Sequence, residues 1–153
     1  MPSDITLRAA RADEAALLTE LALRSKGHWA YPEEFLVACR DELTVSERLL
    51  PRVTVAEVGG QVCGFALLAT ERRGDEGELA MLFVDPPWIG KAVGGVLMQA
   101  VLREARSRGL RTLVLDADPG AQGFYERYGA TKVGVSPSGS IPDRVLPRMR
   151  FTL

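Results

Sequence analysis

The chain has 153 residues, 46% of them hydrophobic and 25% charged, with a formal net charge of −1. Residues 1–153 are long enough for a proper core and are expected to form a single domain. Near-neutral charge gives no global attraction to nucleic acid or an anionic membrane, and no apolar run is long enough to span a bilayer, so neither partner is expected.

The opening residues lack the basic start and apolar core of a signal peptide, and a cytoplasmic location is expected. Ile5 to Ala10 alternates as a first strand. Asp13 to Ser25 carries Ala16, Leu17 and Leu21 near helical spacing, with Asp13 and Glu14 placed for the first turn. A second helix starts near Pro32, a residue suited to the first helical position, and runs through Phe35, Leu36, Cys39 and Leu43. From Arg52 the period becomes two. Val53 and Val55 face one way, Gly59-Gly60 makes a tight turn, and Gln61 to Thr70 returns as the partner strand of a hairpin. Gly74-Asp75-Glu76-Gly77 reads as the next turn, before a third, apolar strand from Glu78 to Val84.

Pro86-Pro87 ends that strand. A glycine-rich turn opens a long helix with Val93, Val96, Leu97, Ala100 and Val101 on its apolar face and Gly109 just past its end. Thr112 to Leu115 is a buried strand, expected to run parallel to the strand before the helix. Pro119 to Tyr128 reads as a helix with Asp118 as N-cap and Gly129 at its close. Strands near Thr131–Ser136 and Val145–Leu153 finish the chain. The order β-α-α-β-β-β-α-β-α-β-β is a mixed α+β pattern, an antiparallel meander feeding a βαβ unit. A doubly wound Rossmann sheet would alternate helix and strand throughout.

Cys39 and Cys63 form no CxxC pair and read as small buried hydrophobes; His28 is the single histidine, so no metal site is expected. No GxSxG elbow supports a serine triad through His28. The turn from Ile89 to Gly95 carries the chemistry. Gly90, Gly94 and Gly95 allow close approach to the backbone, and orphan N–H groups at a helix start attract phosphate oxygens, with the Lys91 charge nearby. No Gly-Lys-Ser/Thr triplet makes it a Walker loop. The same glycines also fit an ordinary strand-to-helix turn.

Leu82-Phe83-Val84-Asp85-Pro86, followed by Gly90-Lys91-Ala92-Val93-Gly94-Gly95 and Leu97, resembles the acetyl-coenzyme A motif of the GNAT N-acetyltransferases. The usual pattern there is Arg/Gln-x-x-Gly-x-Gly/Ala. Here Ile89 stands at the Arg/Gln position and Ala92 at the first glycine. A second segment, Asp118 to Ala130, resembles the family's Asn-x-x-Ala-x-x-Phe-Tyr-x-x-x-Gly-Phe, with Ala121, Phe124, Tyr125 and Gly129 in place. The resemblance implies an α/β (mixed α+β) fold, a mostly antiparallel central sheet of about six to seven strands with a parallel βαβ unit, and helices on both faces.

It also implies an enzyme that transfers the acetyl group of acetyl-CoA to a primary amine by direct attack in a ternary complex. Leu82, Phe83, Val84, Gly90, Lys91, Ala92, Val93, Gly94, Gly95, Asp118, Ala121 and Phe124 would bind the cosubstrate. Tyr125 would protonate the departing thiolate, and backbone N–H groups from Leu82 to Val84 would polarise the carbonyl. Without the resemblance Tyr125 reads as an aromatic packing beside Phe124, and Asp118 reads best as a helix cap. The amine must lose a proton before it attacks; Glu78, directly or through a water, is the first candidate to take it and His28 the second, though Glu78 could instead be a surface or hairpin carboxylate. His28, Trp29 and Tyr31 border the acceptor pocket in such folds; Trp29 and Tyr31 could instead pin the first two helices together. The loop from Ser136 to Arg144 either closes over that pocket or simply connects a hairpin. A homodimer is possible by analogy. The rival readings are a non-catalytic acyl-CoA-binding or sensing module on the same fold, and a phosphate-binding protein without coenzyme A, against which the meander argues.

Overall fold

The alternating and helical periodicities become seven strands and four α-helices among the described residues of the computed structural model, which are 4–28, 33–70, 75–138 and 144–153. In chain order they are β1 (Thr6–Ala9), α1 (Ala15–Gly27), α2 (Glu33–Leu43), β2 (Val53–Val58), β3 (Gln61–Thr70) and β4 (Glu76–Val84). Then follow α3 (Val93–Ser107), β5 (Thr112–Asp116), α4 (Gln122–Arg127), β6 (Thr131–Pro137) and β7 (Val145–Thr152). The strands form one sheet in the order β1-β2-β3-β4-β5-β7-β6. β4 and β5 run parallel, while β1–β2, β2–β3, β5–β7 and β6–β7 are antiparallel. This is the mixed α+β architecture and the element order expected from sequence.

The chain divides into two compact units, Met1–Leu67 with Met81–Gln99 and Leu68–Ala80 with Ala100–Leu153. In the first, α1 buries Leu18, Leu21 and Ala22 at helical spacing, while Leu17 on its other face is 46% exposed. They join a cluster with Val53 and Val55 of β2 and Phe65 and Leu67 of β3, alternate residues that a pleated strand turns to one side. Each such large side chain stabilises by about 1.5–3 kcal/mol relative to exposure. Cys39 belongs to this cluster, and Cys63 of β3 is buried as well, as expected. Gly59 and Gly60 have φ of 58° and 83°, the left-handed pair that a two-residue hairpin turn requires.

In the second unit β5 buries Leu113, Val114 and Leu115 in succession, as a strand covered on both faces does. Met149 and Phe151 of β7 are buried at alternate positions.

Three local readings change. Glu76 and Gly77 belong to β4 rather than to a turn, paired with Thr112 and Leu113. A Cβ on Gly77 would lie 2.6 Å from Leu110 Cδ1 and 3.3 Å from the Ala69 carbonyl, so this glycine serves close packing. Asp13 and Glu14 precede α1 instead of forming its first turn. Glu14 is buried and accepts from Arg8 at 2.8 and 2.9 Å and from the Arg11 N–H at 2.7 Å. Those bonds hold its carboxyl below the usual range, the Arg8 bond most of all. The expected helix from Pro119 begins as a three-residue 3-10 turn, Pro119–Ala121, before α4. Pro32, where the second helix was expected to start, and Gly74 lie outside the described residues.

Candidate active site

The first unit builds the strand end and the glycine turn. Asp85 closes β4: its N–H donates to the Cys63 carbonyl at 2.9 Å, and its side chain is buried. The carboxylate receives Arg24 in a fork, Nε to Oδ1 and Nη2 to Oδ2, both at 3.0 Å. Arg24 lies in the last turn of α1, where a cation suits the helix dipole, and Asp85 raises the pKa of its guanidinium.

From Asp85 the chain winds as a 3-10 turn over Pro86–Trp88. Trp88 N–H donates to the Asp85 carbonyl at 2.8 Å, Ile89 N–H to Pro86 at 3.2 Å and Lys91 N–H to Trp88 at 3.3 Å. Pro86 suits this start because it has no N–H to leave unpaired. Gly90 follows at φ 82°, with nothing within 4 Å of where a Cβ would stand. Ala92 also takes the left-handed region, at φ 71°. For an alanine that costs about 1–2 kcal/mol. The position at which the resemblance expects glycine is therefore one whose backbone favours it.

Helix α3 starts at Val93, and Val96 N–H donates to the Ala92 carbonyl at 3.1 Å. Gly90, Lys91 and Ala92 are exposed, while Val93 anchors the helix start at 1% exposure. The first N–H groups of such a helix have no partner within it. Gly64 of β3 makes room for this arrangement. A Cβ there would meet the Phe83 carbonyl at 2.9 Å, Val93 Cγ1 at 3.0 Å and Leu97 Cδ1 at 3.1 Å. Phe83 also packs on Phe65, ring centroids 5.9 Å apart.

One group in this turn is unsatisfied. The indole Nε1 of Trp88 is shielded from solvent and has no hydrogen-bond partner among the described residues. A buried orphan donor costs about 1–3 kcal/mol. His28 caps α1, its backbone N–H donating to Arg24 at 3.0 Å, and the residue is exposed. Trp29 and Tyr31 lie outside the described residues, as do 139–143 of the late loop.

The second unit holds the other motif. Asp118 caps the 3-10 turn, accepting from the Gly120 N–H at 3.0 Å, and lies 3.6 Å from Arg144 Nη2. Ala121 N–H donates to the Asp118 carbonyl at 2.8 Å. Tyr125 on α4 is 8% exposed. Phe124 meets Tyr125 edge to face at 5.2 Å and also contacts Tyr128 at 5.1 Å. Burial, and secondarily the Asp118 charge, pushes the Tyr125 hydroxyl above its usual pKa. Glu78 is half-buried on β4, in register with Val114. The parallel pairing of β4 with β5 includes Glu76, Gly77 and Glu78.

Leu82 to Val84, Gly90 to Gly95 and His28 therefore fall in the first unit, and Glu78, Asp118, Ala121, Phe124 and Tyr125 in the second. Sequence reasoning did not single out Arg24, Gly64 or Trp88. Only Gly64 left a trace, as a lone glycine inside an apolar strand, where close backbone approach is the usual cause.

The sequence model of the acetyltransferase (GNAT) family matches residues 17–130, and the chain belongs to this family. It is 35% identical over 95 residues to an amino-acid acetyltransferase of Pseudomonas fluorescens (strain SBW25), covering 62% of this chain and 22% of that protein. It is 35% identical over 101 residues to a mycothiol acetyltransferase of Stackebrandtia nassauensis, covering 65% and 28%. The chain thus spans well under a third of the length of these two relatives. Its fold is similar to that of the PaiA N-acetyltransferase from Thermoplasma acidophilum, solved in complex with coenzyme A. That similarity has a TM-score of 0.78 at 19% identity, over 97% of this chain and 99% of that one.

Proposed function

We propose that the chain transfers the acetyl group of acetyl-CoA to a primary amine by direct attack in a ternary complex. One observation carries the reading. Gly90 and Ala92 both take left-handed backbone, and an exposed turn leads straight into the start of a 15-residue helix. A pyrophosphate fits the chemistry of this turn: uncommitted helix N–H donors, the positive end of the helix dipole, the Lys91 charge, and open space beside Gly90. In this reading Gly90 to Gly95 hold the pyrophosphate and Leu82 to Val84 present backbone N–H groups to the thioester carbonyl. Asp118, Ala121 and Phe124 support the cosubstrate from the second motif.

Bound acetyl-CoA supplies an activated acetyl thioester. The protein's own task is to manage protons around it. Tyr125, a phenol that is protonated at neutral pH, donates to the departing thiolate. An alkylammonium near pKa 10 must be neutral to attack, and Glu78 or His28 takes its proton. The test is thiol release from acetyl-CoA against a panel of amines. Amino acids lead that panel, because an amino-acid acetyltransferase is among the relatives. Acetyl-CoA binding without acceptor-dependent thiol release from any amine would favour a non-catalytic acyl-CoA-binding module.

A further inference from the structure

We propose that Trp88 is a hydrogen-bond donor to coenzyme A, its indole N–H, which has no partner among the described residues, pairing with an oxygen acceptor of the bound cosubstrate. The inference rests on the coenzyme A reading above and adds a side chain that neither motif names.

An indole N–H can only donate, and folded proteins pair nearly all their buried polar groups. Among the described residues, the shielded side-chain nitrogens and oxygens have one exception, Trp88 Nε1. Its place is specific. Trp88 lies in the turn between β4 and α3, with its N–H bonded to Asp85 at 2.8 Å and its carbonyl to Lys91 at 3.3 Å. The backbone of this residue is committed while its side-chain donor is not.

The same turn carries a second unfavourable feature, the left-handed Ala92 four residues on. Two costs of independent origin thus fall in one short segment, a pattern typical of ligand-binding turns. Gly90 to Ala92 are exposed and Gly90 has no neighbour within 4 Å on its Cβ side, so there is open space two residues from the indole. The adjoining residue, Ile89, offers no polar side chain where the resemblance expects arginine or glutamine. Trp88 is the neighbouring side chain with a donor to give. The acceptor is an oxygen of the pyrophosphate or of a pantetheine amide.

The experiment follows the indole ¹H–¹⁵N resonance of Trp88, assigned by its loss in Trp88→Phe, during titration of the intact chain with coenzyme A. The resonance is expected to move downfield and saturate with the binding isotherm. Trp88→Phe, and replacement by benzothienylalanine, which keeps the bicyclic ring and lacks the donor, are expected to weaken coenzyme A about tenfold, the effect of one hydrogen bond. The isostere should leave the melting temperature of the free protein unchanged or higher. Parallel titrations separate the two acceptors: weakening confined to coenzyme A and ADP assigns the pyrophosphate, and weakening shared by pantetheine assigns its amide. An unmoved resonance together with affinity unchanged in the isostere would overturn the inference while leaving the coenzyme A reading intact. If the parent chain binds no coenzyme A, that reading falls and the inference falls with it.

Discussion

Arg24 forks onto Asp85 with two bonds of 3.0 Å across 61 positions of sequence, tying the last turn of α1 to the residue where β4 ends. Asp85 is buried and Arg24 about half exposed, so solvent screens part of the attraction. Removing the arginine strands a carboxylate with poor access to water. Arg24→Ala is expected to cost about 1–2 kcal/mol in urea unfolding, and Arg24→Lys to recover only part of it because a point charge cannot reproduce the fork. An unchanged midpoint for Arg24→Ala would mean that the pair contributes nothing to stability.

Ala92 gives a prediction with the opposite sign. Its left-handed backbone is unfavourable for alanine and free for glycine, while glycine loses more entropy on folding. The balance favours Ala92→Gly by up to about 1 kcal/mol. In the coenzyme A reading, the substitution also removes a methyl group from the phosphate-binding turn. Thermal unfolding should therefore show a higher midpoint, and coenzyme A should bind more tightly. Ala92→Val should lower both, since a β-branched residue tolerates this conformation least.

Gly64 tests how the helix start is seated. A Cβ at that position meets a backbone carbonyl, that of Phe83, at 2.9 Å, and Val93 and Leu97 close behind it. Gly64→Ala is expected to destabilise by about 1–3 kcal/mol, the usual cost of overpacking. Gly77→Ala should cost less, because its nearest neighbour is the movable end of the Leu110 side chain. Urea denaturation of the two variants gives the order; equal costs would contradict it.

Much of the scaffold was legible because its signals are local. Val53 and Val55 alternate, Gly59-Gly60 supplies the hairpin turn, and Asp118 before Pro119 marks a cap that the structure realises through the Gly120 N–H. The glycine turn was legible as well, through residue types at fixed spacing. What escaped depends on partners distant in the chain. Nothing near Gly77 announces Leu110, and nothing near Arg24 announces Asp85. Trp88 escaped for a different reason, since an unpaired donor has no signature until its surroundings are known. Which of Glu78 and His28 would serve as the proposed base turns on distance to a bound amine, which no local pattern encodes.

Tyr125 yields a pH prediction. Burial raises its pKa in the folded state above the unfolded value of about 10. The folded chain then holds its proton more tightly than the unfolded one. The associated stability is fully present below about pH 10 and is lost as pH climbs from the unfolded toward the folded pKa. Absorbance at the tyrosinate band should show Tyr125 silent near pH 10, so that the parent and Tyr125→Phe titrate alike there and diverge only at higher pH. In turnover assays Tyr125→Phe should lower kcat by about 10²-fold or more with little change in the KM for acetyl-CoA. A matching fall in affinity would recast Tyr125 as a binding residue.

The claim on which the rest depends is that the Gly90 to Gly95 turn holds coenzyme A. Isothermal titration of the intact chain with acetyl-CoA tests it most directly. The account predicts saturable binding with Kd below about 1 mM, within the ordinary range for an enzyme's substrate, tightened by Ala92→Gly. No binding at millimolar acetyl-CoA, in either the parent chain or that variant, would contradict it.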